Sequence, residues 1–185
     1  MRKSVHIVTD AAQHSALASP IRLEVLEHLG DIGPTSVRDL AKRMDRSPHA
    51  LHYHMRCLTE VGLVVQAGTR KSGSRDEAVF DVIADLIEVD FESDGSFNAE
   101  LKAVRAILRR AERDFTAQAA VNPERLGGND GYAGRLRGRL SRSARDDVMR
   151  HLRAIQRIFT EERRDHPPQA RVETYTMTTV FLPEA

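Results

Sequence analysis

Residues 36–63 read SVRDLAKRMDRSPHALHYHMRCLTEVGL, and the periodicity of this stretch sets the reading of everything around it. Val37, Leu40, Ala41 and Met44 form one apolar stripe at helical spacing, and Leu51, Met55 and Leu58 form a second. Ser36 is a helix-capping residue, and Asp39 three positions on completes an S-x-x-D capping box. Ser47-Pro48 supplies a cap and a first-turn proline for the next helix, and Gly62 is its natural stop. Two helices joined by a tight turn follow. On the second, the positions not used for packing are His49, Ala50, His52, Tyr53 and Arg56. His, Tyr and Arg side chains donate to base edges or phosphates, and Arg56 is able to bond a guanine bidentately. A small helix with such a face, set after a short supporting helix, is how proteins enter a DNA groove.

Upstream, residues from Thr9 to Leu17 predict a first helix, stopped at Ser19-Pro20. Pro20 opens a second helix carrying Ile21, Val25, Leu26 and Leu29, with Gly30 ending the run and DIGPT (31–35) as turn material. Downstream, LVVQAG (63–68) and EAVFDVI (77–83) are β-type runs separated by TRKSGSRD (69–76), a hairpin-loop composition. A hairpin directly after a helix-turn-helix is a wing, and its tip carries Arg70, Lys71 and Arg75. DLIEVDF (85–91) alternates and predicts a further strand.

The second half has a different pattern. Phe97, Leu101, Val104, Leu108, Ala111 and Phe115 predict a long amphipathic helix from Asn98 to about Ala119. NPERLGGNDGYAG (122–134) is a loop. Ser143 with Asp146 is a capping-box candidate for a helix to about Arg164, with Val148, Leu152, Ile155 and Phe159 on one face; Pro167-Pro168 stops it. The tail RVETYTMTTVFLP (171–183) is rich in Thr, Val, Tyr and Phe and predicts a strand. Two long helices with narrow stripes call for a partner, either each other or the same helices of a second copy.

At 185 residues, with 41% hydrophobic and 30% charged residues and no Trp, the chain suits a soluble protein with an aliphatic core. No apolar run is long enough to cross a bilayer, and Asp10 interrupts the N-terminus before a signal-peptide core forms; the expected location is cytoplasmic. Cys57 stands alone, which excludes an internal disulfide and a multi-cysteine zinc site. The net charge of +1 hides an uneven distribution. Between Ser36 and Arg75, eight Lys and Arg stand against three acids; between Ala84 and Asn98 five acids meet no Lys or Arg. That is the pattern of a DNA-contacting surface on a roughly neutral protein.

The order ALASPIRLEVLEHL (16–29), then 36–64, then a basic wing resembles the ArsR-like winged helix-turn-helix regulators of bacteria and archaea. Ala16, Leu17, Ala18, Pro20, Arg22, Val25 and Leu26 match the first part of that family's pattern. Leu40, Ala41, Ser47, His54, Met55, Leu58, Gly62, Leu63 and Val64 match the second. The match covers residues 11–83. It implies DNA binding as a homodimer, and it places His54 beside a buried leucine position, where a satisfied structural histidine is expected. The C-terminal half is similar to regulators that add a dimerisation or sensing region. The thiol pair of the family's metalloid sensors is missing. Asp147 with His151 and Asp165 with His166 only crudely imitate its carboxylate–imidazole sites.

The expected fold is therefore mainly α with a small β-wing (α+β). A winged helix-turn-helix DNA-binding domain covers 1–91, and a helical dimerisation or effector region with a terminal strand covers 92–185. The DNA-binding set is His49, Ala50, His52, Tyr53 and Arg56 on helix 47–61, Arg46 before it, and Arg70, Lys71 and Arg75 on wing 68–77. The partners are double-stranded DNA, a second copy, and a small-molecule or protein effector of unknown identity; no cofactor, metal or membrane partner is assigned. Arg38, Lys42, Arg43 and Arg46 belong with the phosphate backbone rather than the bases. No phosphate loop, nucleophile elbow or H-E-x-x-H occurs, and the roughly 100 residues after the wing are too few for a doubly wound catalytic sheet, so no enzyme is expected. Two alternatives stand beside this reading: a winged-helix protein–protein assembly module without DNA binding, and a metal-sensing repressor using the C-terminal His and Asp residues.

Overall fold

The computed structural model describes residues 2–73, 75–89, 97–127, 131–165 and 173–182; the side chains of 75 and 163–165 lie outside the description. In order, the elements are β1 (Lys3–Val8), α1 (Ala11–Leu17), α2 (Pro20–Ile32), β2 (Thr35–Ser36), α3 (Val37–Arg43), α4 (Pro48–Glu60), β3 (Val64–Ser72), β4 (Arg75–Val82), β5 (Ala84–Val89), α5 (Phe97–Val121) and α6 (Arg142–Asp165), with a 3₁₀ turn at Pro123–Leu126. The architecture is the expected α+β one, a winged helix followed by a helical region.

Local chemistry sets the first helices. Asp10 caps α1 by accepting from the Ala12 amide at 2.5 Å, Ser36 caps α3 through the Asp39 amide at 3.2 Å, and Ser47 caps α4 through the Ala50 amide at 3.3 Å. Their inward faces converge on one aliphatic core in which Leu29, Leu40, Leu51, Leu58 and Leu63 are fully buried. Each such leucine stabilises the fold by about 1.5–3 kcal/mol. Two details depart from expectation. Gly30 does not end α2; it is buried inside a helix that runs to Ile32 and ends at Gly33, whose φ of 78° suits only glycine. Thr35-Ser36 is not free turn but pairs with Phe80 and Val79 of β4, a two-residue strand too short to leave a periodic trace.

The wing is a longer ladder than the composition suggested. β3 and β4 stay paired through Arg70↔Glu77, Lys71↔Asp76 and Ser72↔Arg75, so the loop shrinks to the turn at Gly73, where φ is 62°. The segment 69–76 zips because opposite charges face each other across the strands.

A second sheet joins β1 to β5 in parallel, with Val5 opposite Leu86 and Val8 opposite Val89. β5 realises the alternating run at 85–91 as far as Val89; Asp90 and Phe91 lie outside the described residues. β1 was not foreseen, because its partner is some eighty residues away. An equally unforeseen residue fastens it: Arg2 donates to Asp81 at 2.8 Å and to the carbonyls of Leu29 and Gly30, each at 2.9 Å. A cation there satisfies exposed carbonyls and the negative end of α2.

α5 packs on α1 and α2, so the first turns of the region after 92 are built onto the winged helix. Its inward face is Glu100, Ala103 and Ala106 rather than the expected stripe; Phe97, Leu108 and Phe115 remain 64%, 45% and 54% exposed. Small residues let two helices approach closely, which is why the alanines rather than the large side chains mark the contact. Arg110 adds ion pairs to Glu27 and Asp114 at 3.2 and 3.1 Å. α6 begins as the sequence suggests, but its cap is Ser141, which accepts from the Ala144 amide at 3.2 Å; Asp146 instead takes Arg145. Of the expected terminal strand, residues 173–182 adopt neither strand nor helix and make no ladder among the described residues; 171, 172 and 183 lie outside the description. No helix among the described residues is long and apolar enough to cross a membrane.

Candidate nucleic-acid interface

Because Leu51, Met55 and Leu58 point into the core, α4 must turn its opposite face to solvent. His49, Ala50, His52, Tyr53 and Arg56 are all exposed and share that face. Within it Arg56 stacks over Tyr53, 5.7 Å from the ring centroid, and reaches Glu60 at 3.7 Å. This holds the guanidinium extended along the helix surface at little cost, since both charges stay in water. Arg46 is exposed before the helix and pairs with Glu24 at 3.2 Å. The turn between α3 and α4 is closed by Asp45, whose φ of 49° is a left-handed conformation that Asp tolerates.

Between α4 and the wing lies an open groove of about 580 Å³, lined by Val37, Arg38, Pro48, His52, Met55, Arg56, Glu77 and Phe80 among others. Its walls are α4 on one side and β4 on the other.

The wing cations have partners that the sequence reading did not give them. Arg70 ion-pairs with Asp39 of α3, reaches Glu77 at 3.3 Å, and donates to the Ser36 hydroxyl at 3.1 Å. Hydrogen bonds to Asp39 and Glu77 raise its pKa further. Lys71 pairs with Asp76 at 2.9 Å, and Arg38 approaches Glu77 at 3.8 Å and Ser72 at 3.3 Å. Arg75 opens β4 opposite Ser72, and its side chain lies outside the described residues. Arg70 therefore bolts the wing to the supporting helix, while Lys71 lies nearer the tip. Asp39, expected to complete a capping box, spends its carboxylate on this bolt. Glu77 is the functional residue that sequence reasoning missed; the acids DE directly across the hairpin from RK were the available signal.

His54 departs from the expected satisfied histidine. It is half-buried, edge-on to Tyr53 at 5.4 Å, and its Nδ1 has no hydrogen-bond partner among the described residues. Burial lowers its pKa, and Arg22 and Arg46 push it the same way. Cys57 is half-buried on the same helix. No group of three His, Cys, Asp or Glu comes together among the described residues. Asp147 is held by Arg150 rather than presented with His151; the Asp165 side chain and His166 lie outside the description.

Residues 17–67 match the family model described as a helix-turn-helix domain, a span from the end of α1 into β3 that contains all of α2, α3 and α4. No curated protein matches the chain.

Proposed function

We propose that this chain is a DNA-binding transcriptional regulator of the ArsR-like winged-helix type, acting as a homodimer on a palindromic site. The observation that carries the proposal is the α4 face: five residues, four of them with hydrogen-bonding or stacking groups, exposed together on the second helix of a helix-turn-helix and beside a wing. In this reading α4 enters the major groove, with Arg56, His52, Tyr53 and His49 at base edges and Ala50 at a thymine methyl. Arg46, Lys71 and Arg75 meet flanking phosphate. Arg70 sets the angle of the wing against α3. The incompletely buried stripes of α5 and α6 pair two subunits, which spaces the reading helices by one turn of DNA.

The test is selection of bound fragments from random duplex DNA, followed by a salt titration on the recovered site. A palindrome is expected, with affinity falling steeply as salt rises. Arg56→Ala should cost about 1–3 kcal/mol on that site and relax specificity at one base pair. Lys71→Ala should weaken all duplexes alike and flatten the salt slope by about 1. Recovery of no preferred sequence, with no salt dependence, would leave the winged helix as a protein–protein module.

A further inference from the structure

We infer that residues 173–182 are the missing third strand of the β1–β5 sheet, supplied to the open edge of β1 by a second copy of the chain. This rests on the dimer reading above and specifies what joins the two subunits.

The sheet is the first half of the case. It has only two strands among the described residues, β1 and β5, so each keeps one side without a ladder partner. Of these two open sides, that of β5 carries Asp85 and Glu88 along ADLIEV, which leaves β1 as the less charged edge. Val5 and Ile7, 43% and 54% exposed, stand on the face of β1 that shares an open cleft with Met149 and Arg153 of α6. Chains usually blunt such an edge with charge or proline. Here the six residues KSVHIV carry only Lys3.

The tail is the second half. ETYTMTTVFL is β-prone throughout and uncharged after Glu173, yet every residue of it is exposed and none is paired as a strand. Tyr175, Met177, Val180, Phe181 and Leu182 stand open to solvent at 42–64%. Within its own chain the segment is tethered elsewhere: Glu173 pairs at 2.6 Å with Arg125, beyond the far end of α5. That end lies about 16 Å of helix past Arg110, which still contacts α2. A strand edge without a ladder partner and a β-prone segment long enough to run along all six residues of β1, both present once per chain, satisfy each other twice in a two-fold pair.

Hydrogen exchange with light scattering on the intact chain, across a dilution series, tests this. In the dimer, amides of 173–182 and of 3–8 should exchange at least tenfold more slowly than in the diluted monomer. Thr178→Pro should abolish that protection in both segments and weaken dimerisation at least tenfold, while Thr178→Val should do neither. A dimer in which 173–182 exchanges like a free peptide overturns the inference and leaves the dimer reading standing. So does protection that persists unchanged in the monomer. A chain that stays monomeric at every concentration overturns both.

Discussion

The helix-turn-helix and the C-terminal region use similar amphipathic helices, yet one is closed and the other is open. In α4, Leu51, Met55 and Leu58 reach 0%, 3% and 0% exposure, because α2, α3 and β3 are folded around them from nearby sequence. In α6 the equivalent stripe of Val148, Leu152 and Ile155 is only half-buried, and Phe159 is 38% exposed. The difference teaches that amphipathicity fixes which face wants covering and not whether the covering belongs to the same chain.

The sharpest way to break that comparison is to truncate a leucine in each region. Leu58→Ala should destabilise the fold by about 3–4 kcal/mol in chemical denaturation, whereas Leu152→Ala should cost the monomer less than about 1 kcal/mol. The α6 change should instead appear as a weaker dimer by sedimentation. Equal losses in the two regions would mean that α6 is core.

Next in size is the Arg2–Asp81 pair, with side chains 17% and 12% exposed. Asp81→Ala should cost about 1–3 kcal/mol in the same measurement, because it removes the nearest carboxylate from a largely buried guanidinium that keeps Asp85 at 3.6 Å and the Leu29 and Gly30 carbonyls. Glu173→Gln at the exposed Arg125 contact should cost under about 1 kcal/mol. The contrast repeats the first comparison with charge in place of apolar surface.

The smallest effect is a pH dependence confined to the N-terminal region. Burial, together with neighbouring arginines, lowers the pKa of His54 and of His28 below the ordinary histidine value. The unfolded chain then binds more protons than the native one just below pH 6.5, so stability falls as pH drops through that range. Above it both states are neutral and the contribution vanishes. His54→Gln should flatten the fall in thermal scans between pH 7 and pH 5; an unchanged slope would show that His54 titrates normally.

Much of this was legible early because its causes are local. The caps Ser36 and Ser47, the Pro48 start and the Gly62 stop lie within the helices they define, and they place the exposed α4 face directly. Other features depend on residues far apart. β1 needs β5, and Arg2 needs Asp81 and the end of α2. Arg70 reads as a free wing cation until the hairpin register sets Glu77 opposite it and α3 brings Asp39 alongside. The α5 stripe misled for a related reason: hydrophobicity ranks Phe97, Leu108 and Phe115 above the alanines, but close approach to α1 selects Ala103 and Ala106.

Residue order alone was enough for the helix-turn-helix, the exposed face of α4 and the presence of a wing. Capping, helical periodicity and turn chemistry act over four or five residues and leave their mark in order along the chain. Long-range packing decided that a parallel pair of strands closes the N-terminal region, that Arg70 anchors rather than reaches, and that residues 173–182 form no strand. Those outcomes rest on hydrogen bonds and ion pairs between residues tens of positions apart, which exist only once the core has brought their backbones together.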